Sequence, residues 1–94
     1  MEHLLIVYDI PDNKTRRLVG DILEGYGRRV NRSVFECEVR TRPTRRKLER
    51  AILHEIDPAV DSVRIYTICA PCIATSTVLG DEPDPFDREG VYFF

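Results

Sequence analysis

The chain has 94 residues, of which 43% are hydrophobic and 32% charged, with a formal net charge of −2. These values describe one small soluble domain and exclude a low-complexity or fibrous chain. A domain of this size buries only about two-thirds of its unfolded surface, so its stability margin is thin and oligomerisation is a common remedy.

The first apolar run, Leu4-Leu5-Ile6-Val7-Tyr8, is far too short to span a membrane. Glu2 and His3 precede it instead of a basic segment, so it does not read as a signal peptide, and a cytoplasmic location with no membrane partner is expected. His3 to Asp9 reads as a buried strand that ends at the turn Ile10-Pro11-Asp12-Asn13, where Pro11 holds Ile10 extended. Asp12 or Asn13 can then cap a helix. Leu18, Val19, Ile22, Leu23 and Tyr26 recur at helical spacing and place that helix from about Lys14 to Tyr26, with Gly27 as its stop.

Within Arg28 to Arg40 the apolar set changes parity. Val30, Arg32 and Val34 share one strand face, whereas Phe35, Cys37 and Val39 share another. One straight strand with a single core face cannot do this, so the segment reads as two strands with a sharp bend or tight hairpin near Arg32-Ser33. Pro43 suits the first turn of a second helix capped near Thr41 or Arg42, which carries Leu48, Ala51, Ile52 and Ile56 and ends at Asp57-Pro58. Ser62 to Cys69 reads as a strand and Ile73 to Leu79 as a further short one. Gly80 to Gly90 is acidic, contains Pro83 and Pro85, and reads as a linker to the apolar end Val91-Tyr92-Phe93-Phe94.

The order β-α-β-β-α-β is the ferredoxin-like arrangement of the α+β class: an antiparallel sheet with both helices on one face and the other face free. Residues 1–80 would form this domain, and residues 81–94 an acidic linker and an extra C-terminal strand for dimer or partner contact. A free sheet face and an apolar terminal strand predict a homodimer in which each tail adds to its partner's sheet. Many enzymes and binding modules share this fold, so it does not identify a function.

The overall charge conceals a segregation. From Lys14 to Arg50, twelve cationic side chains stand against five carboxylates, a net +7, whereas residues 81–94 carry −4. Arginine outnumbers lysine twelve to two, and guanidinium suits bidentate phosphate contacts. Arg16 and Arg17 fall in the first turn of the first helix, where cations oppose the helix dipole. An external phosphate would account for them, as would pairing with Asp12 or Asp9. Arg28, Arg29 and Arg32 follow the helix end, where positive charge is favourable in any case. Arg45, Arg46, Lys47 and Arg50 on the second helix read as a solvated face partly offset by Glu49 and Glu55, with a DNA-contacting face as the alternative.

Asp9 stands where the first strand ends. Spacing alone favours a turn or capping aspartate; two copies brought together by a dimer axis would make a magnesium site completed by waters and phosphate oxygens. The three cysteines, Cys37, Cys69 and Cys72, imply no disulfide framework and fit a reducing compartment. Cys69-Ala70-Pro71-Cys72 has C-x-x-C spacing, but neither His3 nor His54 stands at a partner spacing for zinc. It reads as small residues at a strand–strand turn, with a four-cysteine site shared by two protomers as the alternative. The chain has no Walker loop, G-x-G-x-x-G, H-E-x-x-H or G-x-S-x-G motif.

Three segments taken together resemble the second CRISPR-associated protein family (Cas two). They are Leu5-Ile6-Val7-Tyr8-Asp9-Ile10-Pro11-Asp12, Arg29-Val30-Asn31-Arg32-Ser33-Val34-Phe35-Glu36-Cys37, and Asp57-Pro58 followed by Asp61-Ser62-Val63-Arg64-Ile65-Tyr66. The resemblance covers roughly residues 3–80. It implies a ferredoxin-like homodimer that acts in CRISPR spacer acquisition, bridges integrase subunits and holds incoming DNA. It also implies a metal-dependent endonuclease acting on RNA or duplex DNA, with Mg2+ as cofactor. Asp9 matches the family's proposed catalytic metal ligand, and Tyr8, Arg16, Arg29 and Phe35 match positions proposed to support the site, with Arg17 adjacent. The alternatives are a non-catalytic DNA-bridging scaffold and, by resemblance to small ferredoxin-like toxins, a toxin-like endoribonuclease.

Overall fold

The computed structural model of the chain describes residues 1–86. Strand β1 (Glu2–Asp9) leads to helix α1 (Asn13–Glu24), then to strands β2 (Gly27–Asn31) and β3 (Val34–Val39). Helix α2 (Arg42–Glu55), strand β4 (Ser62–Ile68) and a short helix α3 (Ala70–Thr75) complete the series. The four strands make one antiparallel sheet in the order β2-β3-β1-β4. This is the ferredoxin-like order expected from the sequence.

Alternation along the strands decides what each face carries. Leu4, Ile6 and Tyr8 of β1 are buried, and the register places Leu4 opposite Cys37 and Ile6 opposite Phe35. With Val39 they pack against Val19 and Leu23 of α1 and Leu48 and Ile52 of α2. Burying one such side chain is worth roughly 1.5–3 kcal/mol, a large share of the margin of about 5–15 kcal/mol of a small domain. The opposite pleats of β1 (His3, Leu5, Val7 and Asp9) therefore lie on the other face of the sheet.

Local signals set the element ends. Asp12 caps α1 by accepting from the Thr15 backbone N–H at 2.8 Å and its hydroxyl at 2.9 Å. Thr41 caps α2 by accepting from the Thr44 N–H at 3.2 Å, with Pro43 in the first turn. Helix α1 ends two residues earlier than its periodicity suggests, at Glu24 with Gly25 as its cap, and Gly27 belongs to β2. Gly27 is required there because β2 approaches β3 closely: a Cβ would stand 1.9 Å from the Glu36 carbonyl oxygen.

Three other expectations are corrected. Residues 73–79 do not form a strand, because a helix starts at Ala70. Cys69 Sγ accepts from the Cys72 N–H at 3.2 Å, Pro71 lies in the first turn, and Ile73 is buried. The hydroxyls of Thr75 and Ser76 return to the Cys72 carbonyl and end the helix. Second, Cys69 and Cys72 form a disulfide across the first turn of α3, leaving Cys37 as the free, buried cysteine. Third, the sheet face away from α1 and α2 is not wholly free. Phe86 is buried, its N–H donates to Glu36 Oε1 at 2.7 Å, and its ring meets the His3 ring edge-on at 5.5 Å. Phe86 holds a left-handed φ of 58°, a strained conformation for a bulky residue. The expected terminal strand at Val91–Phe94 lies outside the described residues. Among the described residues, no helix is long and apolar enough to cross a membrane.

The packing can be tested at two positions. Gly27→Ala should lower stability by about 3 kcal/mol, the scale of severe local strain, read as a fall in the urea midpoint with an unchanged slope. Burial pushes the Cys37 thiol up to about 12, so in the native protein at pH 8 it should resist iodoacetamide and label only in denaturant. Rapid native labelling would show that this part of the core opens.

Candidate functional site

Asp9 is exposed at the end of β1, opposite Ser62 of β4. The residues on each side of it are held by arginines. Before it, the Tyr8 hydroxyl accepts from Arg29 Nη1 at 3.1 Å, while the Tyr8 backbone N–H donates to the Ser33 carbonyl at 3.0 Å. After it, the Ile10 carbonyl accepts from Arg16 Nη1 at 2.9 Å, and the Pro11 carbonyl from the same nitrogen at 3.4 Å. Arg16 Nη2 also donates to Asn13 Oδ1. Asp9 does not cap α1, since Asp12 does so, and the capping role that spacing alone favours for Asp9 is thereby removed.

Tyr8, Arg29 and Phe35 form a stack. The Tyr8 and Phe35 rings lie 6.3 Å apart and 30° from parallel, and the Arg29 guanidinium carbon is 4.8 Å from the Phe35 ring centroid. Such a cation–π contact contributes about 0.5–2 kcal/mol. Arg29 Nη1 donates also to the Arg32 carbonyl at 2.5 Å, which ties the β2–β3 hairpin to the end of β1.

Beside this stack lies a cleft of about 690 Å³ lined by Asn13, Arg16, Arg17, Arg29, Arg32 and Ser33. Its lining holds four guanidinium groups and no carboxylate. Among the described residues none of these arginines has an ion-pair partner, so pairing of Arg16 with Asp12 or Asp9 does not occur. The first turn of α1 contains no acidic residue either. Cations there oppose the helix dipole at a cost of about 0.3–1 kcal/mol each, which an anion in the cleft would offset.

The structure thus brings Tyr8, Arg16, Arg17, Arg29 and Phe35 together around one end of the sheet. The pleat sends Asp9 to the opposite face at that same end. Arg28 leaves the group: it lies across from Glu36 in the register and pairs with it at 3.6 Å. On α2, Arg45 is structural, reaching Glu2 at 3.0 Å, Glu49 at 3.1 Å and Thr67 at 2.7 Å. Its hydrogen bond to Glu2 raises the Arg45 pKa and lowers that of Glu2. Arg46, Lys47 and Arg50 are exposed and unpaired among the described residues. Sequence reasoning missed Asn13 and Gly20; the second is signalled by a glycine inside an otherwise regular helix.

For magnesium, the donor chemistry of Asp9 is suitable, a hard carboxylate oxygen open to solvent. One carboxylate is nevertheless a small share of six oxygen ligands, and among the described residues no three His, Cys, Asp or Glu side chains cluster in a way that could hold a metal. The fit therefore requires a second copy of Asp9 together with water or phosphate oxygens.

Comparison with known proteins places these features. A family model described as CRISPR associated protein Cas2 matches residues 1–75. The chain is 41% identical over 91 residues to CRISPR-associated endoribonuclease Cas2 1 of Chloroflexus aurantiacus, covering 94% of this chain and 95% of that protein. Its fold is similar to the crystal structure of Streptococcus pyogenes Cas2, with a TM-score of 0.74 at 30% identity over 83% of this chain and 99% of the other. It is also similar to a chain in a partial Cas6-RT-Cas1–Cas2 complex, with a TM-score of 0.75 at 34% identity over 84% of this chain and 91% of that one.

The cap beside the cleft gives a pH prediction. Hydrogen bonds from Thr15, first its backbone N–H and then its hydroxyl, hold the Asp12 carboxyl below its ordinary value. A depressed native pKa stabilises above the unfolded value, and that contribution is lost as pH falls through the native one. Thermal unfolding of wild type and Asp12→Asn should differ at neutral pH and converge in acid. A constant difference across the acid range would contradict the assignment.

Proposed function

The chain belongs to the CRISPR-associated Cas2 family, and on that premise we propose that it acts in adaptation as a dimeric nucleic-acid scaffold with a metal-dependent endonuclease site. The observation that carries this reading is an exposed Asp9, fixed on both sides, at the same sheet end as an arginine cleft without a carboxylate. The cleft neutralises phosphates of duplex DNA or single-stranded RNA, and affinity falls with salt by a log–log slope of about 0.9 per phosphate on duplex DNA. Paired Asp9 carboxylates from two protomers would hold Mg2+, which when bound supplies an activated water for attack on a phosphodiester. Arg16 and Tyr8 keep the Asp9 backbone from swinging, so the carboxylate is presented in one place. The Cas1–Cas2 complex among the similar structures supports an integrase subunit as partner. The scaffold role needs only the cleft and the dimer, and the single carboxylate per protomer favours it as a second, non-catalytic reading.

The test is Asp9→Ala against wild type on labelled RNA and duplex DNA, with Mg2+ and with EDTA. Cleavage should fall by at least about 100-fold in the variant, while binding of the duplex stays unchanged. Cleavage that survives Asp9→Ala or EDTA would overturn the metal-site assignment. Absence of cleavage by wild type, with binding intact, would leave the scaffold alone.

A further inference from the structure

Gly20 lies on the face of α1 that meets the end of β1. A Cβ there would stand 2.8 Å from Arg29 Nη2 and 3.7 Å from the Tyr8 hydroxyl oxygen. The glycine is a poor residue for a helix interior, yet it is buried and leaves a notch that the guanidinium occupies. Four things thus meet the head of Arg29: the Tyr8 hydroxyl, the Arg32 carbonyl, the Phe35 ring and the α1 backbone at Gly20. Arg17 has no such ties; it is exposed and without a hydrogen bond or ion pair among the described residues.

We infer that Gly20 and Arg29 are positioning residues: the Gly20 notch seats the Arg29 guanidinium as an internal brace between β1 and the β2–β3 hairpin, and Arg17 and Arg32 are the arginines that meet phosphate. The brace sets where Arg32 and Ser33 stand and holds Tyr8 directly before Asp9. A lysine cannot replace it, because a point charge on a flexible stem cannot reach two acceptors in a fixed plane and stack on a ring together. What the brace serves rests on the proposed nucleic-acid role; its existence does not.

The experiment compares Arg29→Lys, Arg29→Ala, Tyr8→Phe, Gly20→Ala and Arg17→Ala in the full-length protein. Binding of a labelled DNA duplex is measured across a salt series, alongside cleavage. Arg17→Ala should reduce the log–log salt slope by about 0.9 for each phosphate it ceases to neutralise. Arg29→Lys, Tyr8→Phe and Gly20→Ala should keep the wild-type slope and lower cleavage by roughly 10–100-fold, as misplacement does. Gly20→Ala should not lower the melting temperature, since its new methyl displaces the end of a flexible side chain and alanine favours the helix. Wild-type cleavage by Arg29→Lys, with a slope reduced by about 0.9 in Arg29→Ala, would make Arg29 a phosphate ligand and overturn the inference. If wild type neither binds nor cleaves, the proposed function fails, and the free protein decides the brace. NMR should then show Arg29 guanidinium signals that are dispersed in wild type and collapse to the solvated position in Gly20→Ala and Tyr8→Phe. Wild-type signals already at the solvated position would overturn it.

Discussion

The alternation of β1 governs the rest of the structure. Leu4, Ile6 and Tyr8 must face α1 and α2 because they form the floor of the core. The period of two then sends His3, Leu5, Val7 and Asp9 to the other face. A slip of one residue would bury Asp9 among the helices and expose Ile6, at a cost the small core could not bear. The position of the carboxylate is therefore a consequence of packing and needs no local device beyond the two arginine-held residues beside it. Tyr8 links the two roles, with its ring in the core and its hydroxyl on Arg29.

Charge is used in two ways on one molecule. On α2, Arg45 is neutralised by Glu2 and Glu49 and fastens the helix to the start of the sheet. At the start of α1, arginines gather without a carboxylate, against the dipole of their own helix. The second arrangement opposes local stability and is relieved by an anion from outside. The formal charge of −2 says nothing of this, because it averages the cleft with an acidic tail.

Much of this was legible in the sequence. The β1 run, the Asp12 and Thr41 caps and the parity change at Val34-Phe35 led directly to the strand order. The short helix α3 was not legible: Ile73, Thr75, Thr77 and Val78 favour strands, and the helix depends on the Cys69 cap and a buried Ile73. Nor could adjacency in sequence separate Arg28 from Arg29. The pleat gives one to Glu36 and the other to Tyr8, and the irregular register between Arg29 and Asn31 turns the hairpin tip toward α1. The Gly20 notch needed the three-dimensional neighbour that fills it.

The open face of the sheet and its C-terminal cover are where a second copy would bring the two Asp9 side chains together. The cleft, however, is complete within one chain, which makes it the most direct place to look for bound nucleic acid. Backbone amide shifts recorded while a DNA duplex is titrated into the labelled protein would locate the contact. The largest changes should fall on Asn13, Arg16, Arg17, Arg32 and Ser33. Changes confined to Arg46, Lys47 and Arg50 on α2, with the cleft unmoved, would contradict a phosphate-binding role for the cleft.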